Sequence, residues 1–254
     1  MRSGRPAASQ PDHETLDHEV IILAAGDSTR LFPVTRKFPK CLLEIDGQNL
    51  LNRQIESFRS QGINRFTIVA GYQFEKILPI TKKERLAIIT NRIYERTGSL
   101  YSLWLSRRNY ETGIIIINSD VYLLPELAAK IALPSSSNAA LVDPLAEWDE
   151  ESTKVKIEGE RVTQWSRSLS STESSGENLG IVRISREHVG EFFGTVDRLV
   201  SNGHQAEWWP EALNEFVKRN TVIAVSSCGI LWKEIDTVQD YLELQKAIRM
   251  RTEA

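Results

Sequence analysis

Val20-Ile21-Ile22-Leu23-Ala24 is an unbroken apolar run that stops at Gly26. A run this short, β-branched at its start and closed by glycine, fits a strand buried on both faces, as in a parallel sheet. Phe66 to Ala70, Leu86 to Thr90 and the isoleucine quartet Ile114 to Ile117 share the profile, and the quartet runs straight into Asn118-Ser119-Asp120. Between these runs, Leu51, Ile55 and Phe58 share one face of a helix starting near Asn49 and stopping before Gly62. Ser99 to Arg108 reads as another helix. Strands that alternate with helices are joined by right-handed crossovers, so the first half predicts an α/β fold with a largely parallel sheet.

The second half changes character. Lys154 to Ile157, Val162 to Trp165 and Leu179 to Ile184 are short strand patterns, with Glu158-Gly159-Glu160 as a hairpin turn. Ser166 to Gly176 is Ser/Thr-rich and reads as a mobile loop. Helices are expected around Arg186 to Asn202 and Pro210 to Arg219, then strands at Val222 to Ser226 and Ile230 to Lys233. A last helix carries Tyr241, Leu244 and Ile248, with Thr237 and Asp240 as a capping pair. The expected architecture is a single-domain, Rossmann-like three-layer sandwich. Its central sheet is mixed but mostly parallel, with an added β-hairpin region walling one side of a cleft. The domain is expected over residues 20–254, behind a polar, disordered arm at 1–19.

Charge narrows the partners. Thirty-one basic against 34 acidic side chains leave a net of −3, which gives no general pull toward nucleic acid or an anionic membrane. No apolar run approaches the ~18 residues that span a bilayer. Cys41 and Cys228 are too few for a disulfide scaffold and lack metal-site spacing, so a reduced, cytoplasmic setting is expected.

The densest chemical signal is Leu23-Ala24-Ala25-Gly26-Asp27-Ser28-Thr29-Arg30-Leu31, followed by Pro33, Thr35 and Pro39-Lys40-Cys41-Leu42. A buried strand empties into a turn of small residues, with Arg30, Lys37 and Lys40 close behind. That is a polyphosphate cradle or an ordinary turn with solvated basic residues. It is neither a Walker loop nor a dinucleotide fingerprint. Asp120 stands just past the isoleucine strand, and Glu234 and Asp236 close a later strand two residues apart. In extended chain that spacing puts both carboxylates on one face, where they could meet Asp120 around a hard cation such as Mg²⁺. Helix capping is the competing role for Asp120 and Asp236. Cys41 has no companion base in sequence and reads as a packing residue.

This turn, with Pro33, Thr35 and Pro39-Lys40-Cys41-Leu42 at matching offsets, resembles the signature of nucleotidyltransferases with a glycosyltransferase-A-like fold. Glu234-Ile235-Asp236-Thr237 with Asp240-Tyr241, Asn91 to Tyr94, and Ser99-Leu100-Tyr101-Ser102-Leu103 look like the branch of phosphocholine and alkylphosphonate cytidylyltransferases. Trp148 to Val155 and Gly176 to Ile181 resemble that branch's acceptor-side strands, so the likeness covers roughly residues 20 to 245. The chain departs at Asp27-Ser28, where many members carry a second glycine, and at Arg167, near a frequent lysine.

The resemblance implies transfer of CMP from CTP to a phosphocholine- or phosphonate-type acceptor, with Mg²⁺ as cofactor and pyrophosphate as leaving group. It implies Lys40 and Arg30 as catalytic residues and Asp120, Glu234 and Asp236 as metal ligands. Leu23, Ala24, Ala25, Gly26, Ser28, Arg30, Gly98 and Ser99 would bind the nucleotide, with Ser102 beside the base. Tyr122, Asp149, Lys154, Glu177 and Trp209 would face the acceptor. Trp208, Trp209 and Trp148, with Glu177 or Asp149, suggest a cage for a quaternary amine, against the alternative that tryptophans simply pack. Expected partners are CTP and a small acceptor, with no nucleic acid or membrane and a monomer or homodimer as the assembly. Two other readings compete: a sugar-1-phosphate uridylyl- or thymidylyltransferase, and a nucleotide-binding regulatory module without chemistry.

Overall fold

A computed structural model describes residues 18–133, 137–146 and 152–252. The chain opens with β1 (His18–Ala24), then the small pair β2 (Glu44–Ile45) and β3 (Gln48–Asn49), and α1 (Leu50–Arg59). There follow β4 (Arg65–Ala70), α2 (Leu78–Glu84), β5 (Ala87–Thr90) and α3 (Ser99–Leu105). Next come β6 (Gly113–Asn118), β7 (Val121–Tyr122), α4 (Pro125–Ala132) and β8 (Asn138–Asp143). The strands β9 (Lys154–Glu158), β10 (Arg161–Ser166) and β11 (Gly176–Ile184) lead to α5 (Arg186–Ser201) and α6 (Pro210–Phe216). The described chain closes with β12 (Val222–Ser226), β13 (Lys233–Glu234) and α7 (Val238–Thr252).

Side-chain alternation along the strands builds three layers. On β1, Val20, Ile22 and Ala24 enter one core with Leu51, Ile55 and Phe58 of α1 and Leu127 and Ile131 of α4. Ile21 and Leu23 enter the opposite core, with Leu100 and Leu103 of α3, Phe192 and Val196 of α5, and Leu213 of α6. The isoleucines of β6 divide the same way, Ile115 and Ile117 against Ile114 and Ile116. A strand buried on both faces must be apolar throughout, which is why these runs do not alternate with polar residues.

The sheet order is β5-β4-β1-β6-β11-β8-β12-β10-β9. Its first four strands form a parallel block, and β8 with β12 is a further parallel pair. β11 runs antiparallel to β6 and to β8, and the β9–β10 hairpin adds further antiparallel pairs. β9 also pairs with β11, so β11, β8, β12, β10 and β9 close into a five-stranded, barrel-like ring. The expectation of a mostly parallel sheet with a hairpin appendage is thereby corrected. Hairpins need no crossover helix, so the second half pairs largely antiparallel and bends back on its own sheet.

Several element ends follow from side chains the sequence names. Asn49 caps α1 by accepting from Asn52 N (2.8 Å). Asp240 Oδ2 accepts from the N (2.8 Å) and Oγ1 (2.8 Å) of Thr237, while Asp240 N donates to Thr237 Oγ1 (3.2 Å). That is the reciprocal pair expected at the start of the last helix. Besides the two-residue strands β2, β3 and β7, the elements with no local signal strong enough to be expected are α2, α4 and β8. In β8, Asn138-Ala139-Ala140-Leu141-Val142-Asp143, alanines and polar ends give little strand propensity, and pairing to β11 and β12 makes the strand.

β1 also begins before Val20. His18 and Glu19 belong to the strand and are buried, which shortens the expected arm; residues 1–17 lie outside the described residues. Glu19 accepts from Thr67 Oγ1 (2.6 Å) and pairs with Arg108. His18 Nδ1 is buried without a hydrogen-bond partner, and burial, then the Arg183 charge, push its pKa down to about 4. In the unfolded chain the same imidazole takes up a proton near pH 6.5, so the unfolded state gains protons first as pH falls. Stability from a neutral His18 is thus complete above pH 6.5 and lost on descent to pH 4, by about 3 kcal/mol. Urea midpoints of wild type and His18→Gln across that window test this. A difference between the two proteins that does not change with pH refutes it.

Candidate active site

The end of β1 delivers the turn Ala25–Ser28 to one rim of a cleft of about 390 Å³. Ser28 is left-handed, with φ 54° and ψ 44°, and its carbonyl accepts from Leu31 N (3.0 Å) and Thr35 Oγ1 (3.1 Å). Glycine suits such backbone without strain, which is the physical content of the departure at this position. Gly26 differs: a Cβ built there meets nothing within 4 Å. The protein's own packing does not demand a glycine at 26, and its missing side chain leaves the backbone of the turn open to the cleft. Gly71 seats the turn from behind, since a Cβ there would lie 2.5 Å from Ala25 O, and Tyr72 N donates to that same oxygen (3.0 Å). No local pattern singles out Gly71, because its constraint lies across the sheet.

At the floor of the cleft, charges far apart in sequence converge. Pro39, extended, launches the short helical turn Lys40–Leu42, which buries Lys40 (9% exposed). Antiparallel pairing of β13 with β7 sets Lys233 opposite Tyr122 and Glu234 opposite Val121, and Ile235 N donates to Asp120 O (3.0 Å). This small ladder brings the Asp236 region beside Asp120. Lys40 Nζ lies 2.7 Å from Asp120 Oδ2 and 2.6 Å from Asp236 Oδ1, and Arg30 Nη2 lies 2.9 Å from Asp236 Oδ2. Burial alone would lower the Lys40 pKa, but the two carboxylates outweigh it and hold the ammonium above the usual lysine range. For Asp236, burial favours the neutral acid, yet Lys40 and then Arg30 keep its carboxyl below the ordinary value.

Glu234 behaves differently. Burial first, then the charges of Asp120 and Asp236, raise its pKa well above the normal carboxylate value. Asn118, at the end of β6, ties it down: Nδ2 donates to Glu234 Oε1 (3.2 Å), while Asn118 Oδ1 accepts from Trp209 Nε1 (2.9 Å). Gly180 makes room for this side chain, because a Cβ there would lie 2.7 Å from Asn118 Nδ2. Sequence reasoning does not assign Asn118 a role; its place at a strand end, two residues before Asp120, is the signal that could have found it.

The three carboxylates expected around a cation are therefore neighbours, but no three acidic, imidazole or thiol groups among the described residues already surround one cation position. The Lys40 ammonium lies between Asp120 and Asp236 instead. Asp120 Oδ1 is buried with no hydrogen-bond partner, an arrangement that costs about 1–3 kcal/mol when nothing occupies the second oxygen. An orphaned carboxylate oxygen beside a second aspartate fits a hard divalent cation. Cys41 stays a packing residue, with burial pushing its thiol up to about 12.

Of the residues expected around the nucleotide, Leu23, Ala24, Ala25, Gly26, Ser28, Gly98, Ser99 and Ser102 all line the cleft. Gly98 has a structural reason of its own, since a Cβ would lie 2.1 Å from Glu207 O, and Gly98 N donates to Gln205 O (2.8 Å). The Ser99 hydroxyl accepts from Trp209 N (3.0 Å), and Ser102 Oγ accepts from Asn91 Nδ2 (3.1 Å). Both hydroxyls thus tie α3 to its surroundings.

The acceptor side needs correction. Tyr122 is 3% exposed, packed with Leu31, Ile235 and Leu244 under α7 and covered by Arg53, so it faces away from the cleft. Lys154 is buried outside the lining and donates its Nζ to Arg167 O (2.7 Å). Glu177, on β11 opposite Asp143 and Lys154, is not part of the lining either. A strand pattern places these side chains on a face, and only the ring closure decides what that face meets. Asp149 and Trp148 lie outside the described residues. Trp209 lines the cleft, but its indole is 1% exposed and anchored to Asn118, so it is floor rather than cage. Trp208 and Arg167 do form the wall there, the Arg167 guanidinium carbon 3.1 Å from the centroid of the Trp208 ring.

A family model described as the MobA-like NTP transferase domain matches residues 20–152. The choline-phosphate cytidylyltransferase of Streptococcus pneumoniae is 25% identical over 234 residues, covering 91% of this chain and 98% of that protein. The bifunctional IPC transferase and DIPP synthase of Aquifex aeolicus is 25% identical over 231 residues, and there the match spans 89% of this chain but only 50% of the relative. Among solved structures, the CTP:phosphocholine cytidylyltransferase of Streptococcus pneumoniae superposes with a TM-score of 0.75 over 91% of this chain and 99% of that one, at 24% identity. That likeness is one of fold. No helix among the described residues is long and apolar enough to cross a membrane.

Proposed function

This chain belongs to the MobA-like NTP transferase domain family and is a nucleotidyltransferase, and we propose that it transfers CMP from CTP to a small acceptor bearing a phosphate or phosphonate, releasing pyrophosphate. The observation that carries this reading is the buried Lys40 bridging Asp120 and Asp236, with Arg30 on the second oxygen of Asp236, directly below an open glycine turn. The name of the Streptococcus pneumoniae relative, a choline-phosphate cytidylyltransferase, supports cytidine as the base and a phosphate-bearing acceptor.

The acceptor's phosphate oxygen is anionic near neutral pH, so no general base is required for its attack on the α-phosphorus. Catalysis rests on positioning and on neutralising charge. The turn at Ala25–Gly26 offers backbone N–H groups to the nucleotide. Lys40 and Arg30 exchange their carboxylate partners for phosphate oxygens, Lys40 at the reacting phosphates and Arg30 on the leaving pyrophosphate. Asp120 and Asp236, released by that exchange, would hold Mg²⁺, with Glu234 behind them. Held by these carboxylates, such a cation would supply charge neutralisation at the phosphates. The exchange keeps every charge in the cleft compensated in both states, which a low-dielectric site requires.

Gly26→Ala tests the turn. With no protein atom near the new methyl, its melting temperature should match wild type within about 2 °C, while CTP affinity falls at least about tenfold, or 1.4 kcal/mol. Unchanged CTP affinity, measured by calorimetric titration, removes the nucleotide from this turn. The reaction itself is tested by pyrophosphate release with CTP, UTP and ATP, each offered phosphocholine, alkylphosphonates and sugar 1-phosphates. Release with CTP and a phosphate or phosphonate acceptor is expected. Release only with a sugar 1-phosphate overturns the proposal.

A further inference from the structure

Trp209 forms the cleft floor without reaching the carboxylates itself, and we propose that it is a positioning residue for the phosphate end of the cleft. Its indole N–H fixes which way the Asn118 amide faces, and that amide holds the Glu234 carboxyl in place behind Asp120 and Asp236. The role rests on the reading of those carboxylates as holders of the divalent cation, whereas the lock itself consists of hydrogen bonds already in place.

An indole nitrogen can only donate. Trp209 Nε1 lies 2.9 Å from Asn118 Oδ1, so the oxygen end of the amide faces the indole, and Nδ2 is left to donate to Glu234 Oε1 at 3.2 Å. Turned over, the amide would set two donors against each other at the indole. The carboxylate of Glu234 would then meet a carbonyl oxygen instead of a donor. Both contacts therefore favour one orientation, and the indole enforces it. The backbone holds the same residue from other sides. Asn118 ends β6 opposite Leu23 of β1, and its carbonyl accepts from Gln54 Nε2 (2.9 Å). Its amide lies against Gly180 of β11, where a Cβ would come within 2.7 Å of Nδ2.

The indole is itself rigidly placed. Trp209 is buried, and its N donates to Ser99 Oγ (3.0 Å) at the start of α3. The segment before it is laced to the same turn, with Gly98 N donating to Gln205 O (2.8 Å) and Leu100 N to Glu207 O (3.1 Å). Glu234, Asn118, Trp209 and Ser99 thus form a continuous hydrogen-bonded chain along the cleft lining. A carboxylate serves a hard cation best when it is oriented before the cation arrives, and loss of such outer partners lowers metal affinity by about 10–100-fold.

Two measurements on the full chain test this. Mn²⁺ affinity in the presence of CTP, read by electron paramagnetic resonance below each variant's melting transition, should fall at least about fivefold in Trp209→Phe and in Asn118→Leu. With Glu234→Gln already in place, either substitution should cost less than about twofold, because the carboxylate being positioned is gone. Unchanged affinity in either single variant overturns the inference. An equal loss in the Glu234→Gln background also overturns it, since that result marks a packing role alone. The second measurement follows the Trp209 indole proton by proton–nitrogen correlation spectroscopy, with neither metal nor nucleotide present. The resonance should move upfield in Asn118→Leu, where the acceptor is lost, and a resonance that stays in place overturns the lock. If wild type binds no Mn²⁺ with CTP, it is the metal assignment of the proposed function that fails, and the indole resonance still decides whether Trp209 holds Asn118.

Discussion

Lys40→Met should abolish turnover to within about one part in a thousand of wild type, the scale seen when a single pre-organised donor to a transition state is removed. Its ammonium touches both aspartates at the cleft floor, 2.7 Å from Asp120 and 2.6 Å from Asp236. Folding suffers as well. Without Lys40, two aspartates and Glu234 face one another with Arg30 still paired to Asp236 alone, and breaking a buried pair in this way costs about 3–5 kcal/mol. Burial of the lysine is what adds the stability loss to the catalytic one. Lys40→Arg keeps the charge and separates the two effects, so it should recover most of the melting temperature while remaining at least about a hundredfold slow, because a planar fork cannot occupy the position of a point charge. Turnover of Lys40→Met near the wild-type rate, by single-turnover measurement with CTP, would sink the assignment.

Asp120→Asn should produce the second large loss. The amide oxygen can still accept from Lys40, so the melting temperature is expected within about 5 °C of wild type. What disappears is the negative charge beside the buried, unpartnered Oδ1. Mn²⁺ affinity in the presence of CTP, read by electron paramagnetic resonance, should fall at least about a hundredfold, and turnover by about a thousandfold. The same substitution removes the like charge that, after burial, does most to raise the Glu234 pKa, and so moves that pKa back toward the ordinary carboxylate value. Wild type should bind Mn²⁺ much more weakly without CTP than with it, because Lys40 and Arg30 then neutralise the same carboxylates. If the Asp120→Asn variant binds Mn²⁺ as wild type does, Asp120 is not a metal ligand.

Much of the core was legible in advance. Residues 20–24, 66–70 and 114–117 are apolar on both faces because both sides of β1, β4 and β6 are covered, and that requirement is written into each strand locally. The helix stripes at Leu51, Ile55 and Phe58 and at Tyr241, Leu244 and Ile248 are local in the same sense. β8 was not legible, because its neighbours supply what its alanines lack. The ring closure was also invisible, since it depends on β9 meeting β11 as well as β10.

The site divides along the same line. The turn after β1, Lys40 and Asp120 were readable because strand end, small residues and charge lie within one stretch of chain. The facing of Tyr122, Lys154 and Glu177 was not, because a strand pattern tells which residues share a face but not what that face meets. Sequence alone determined that a buried strand empties into an open turn beside basic residues, and that carboxylates stand at later strand ends. Tertiary structure alone decided that β7–β13 pairing brings Asp236 onto Lys40 across 196 residues, and that Arg167 lies over Trp208. Contacts between distant segments depend on how whole elements pack, and no local periodicity encodes that.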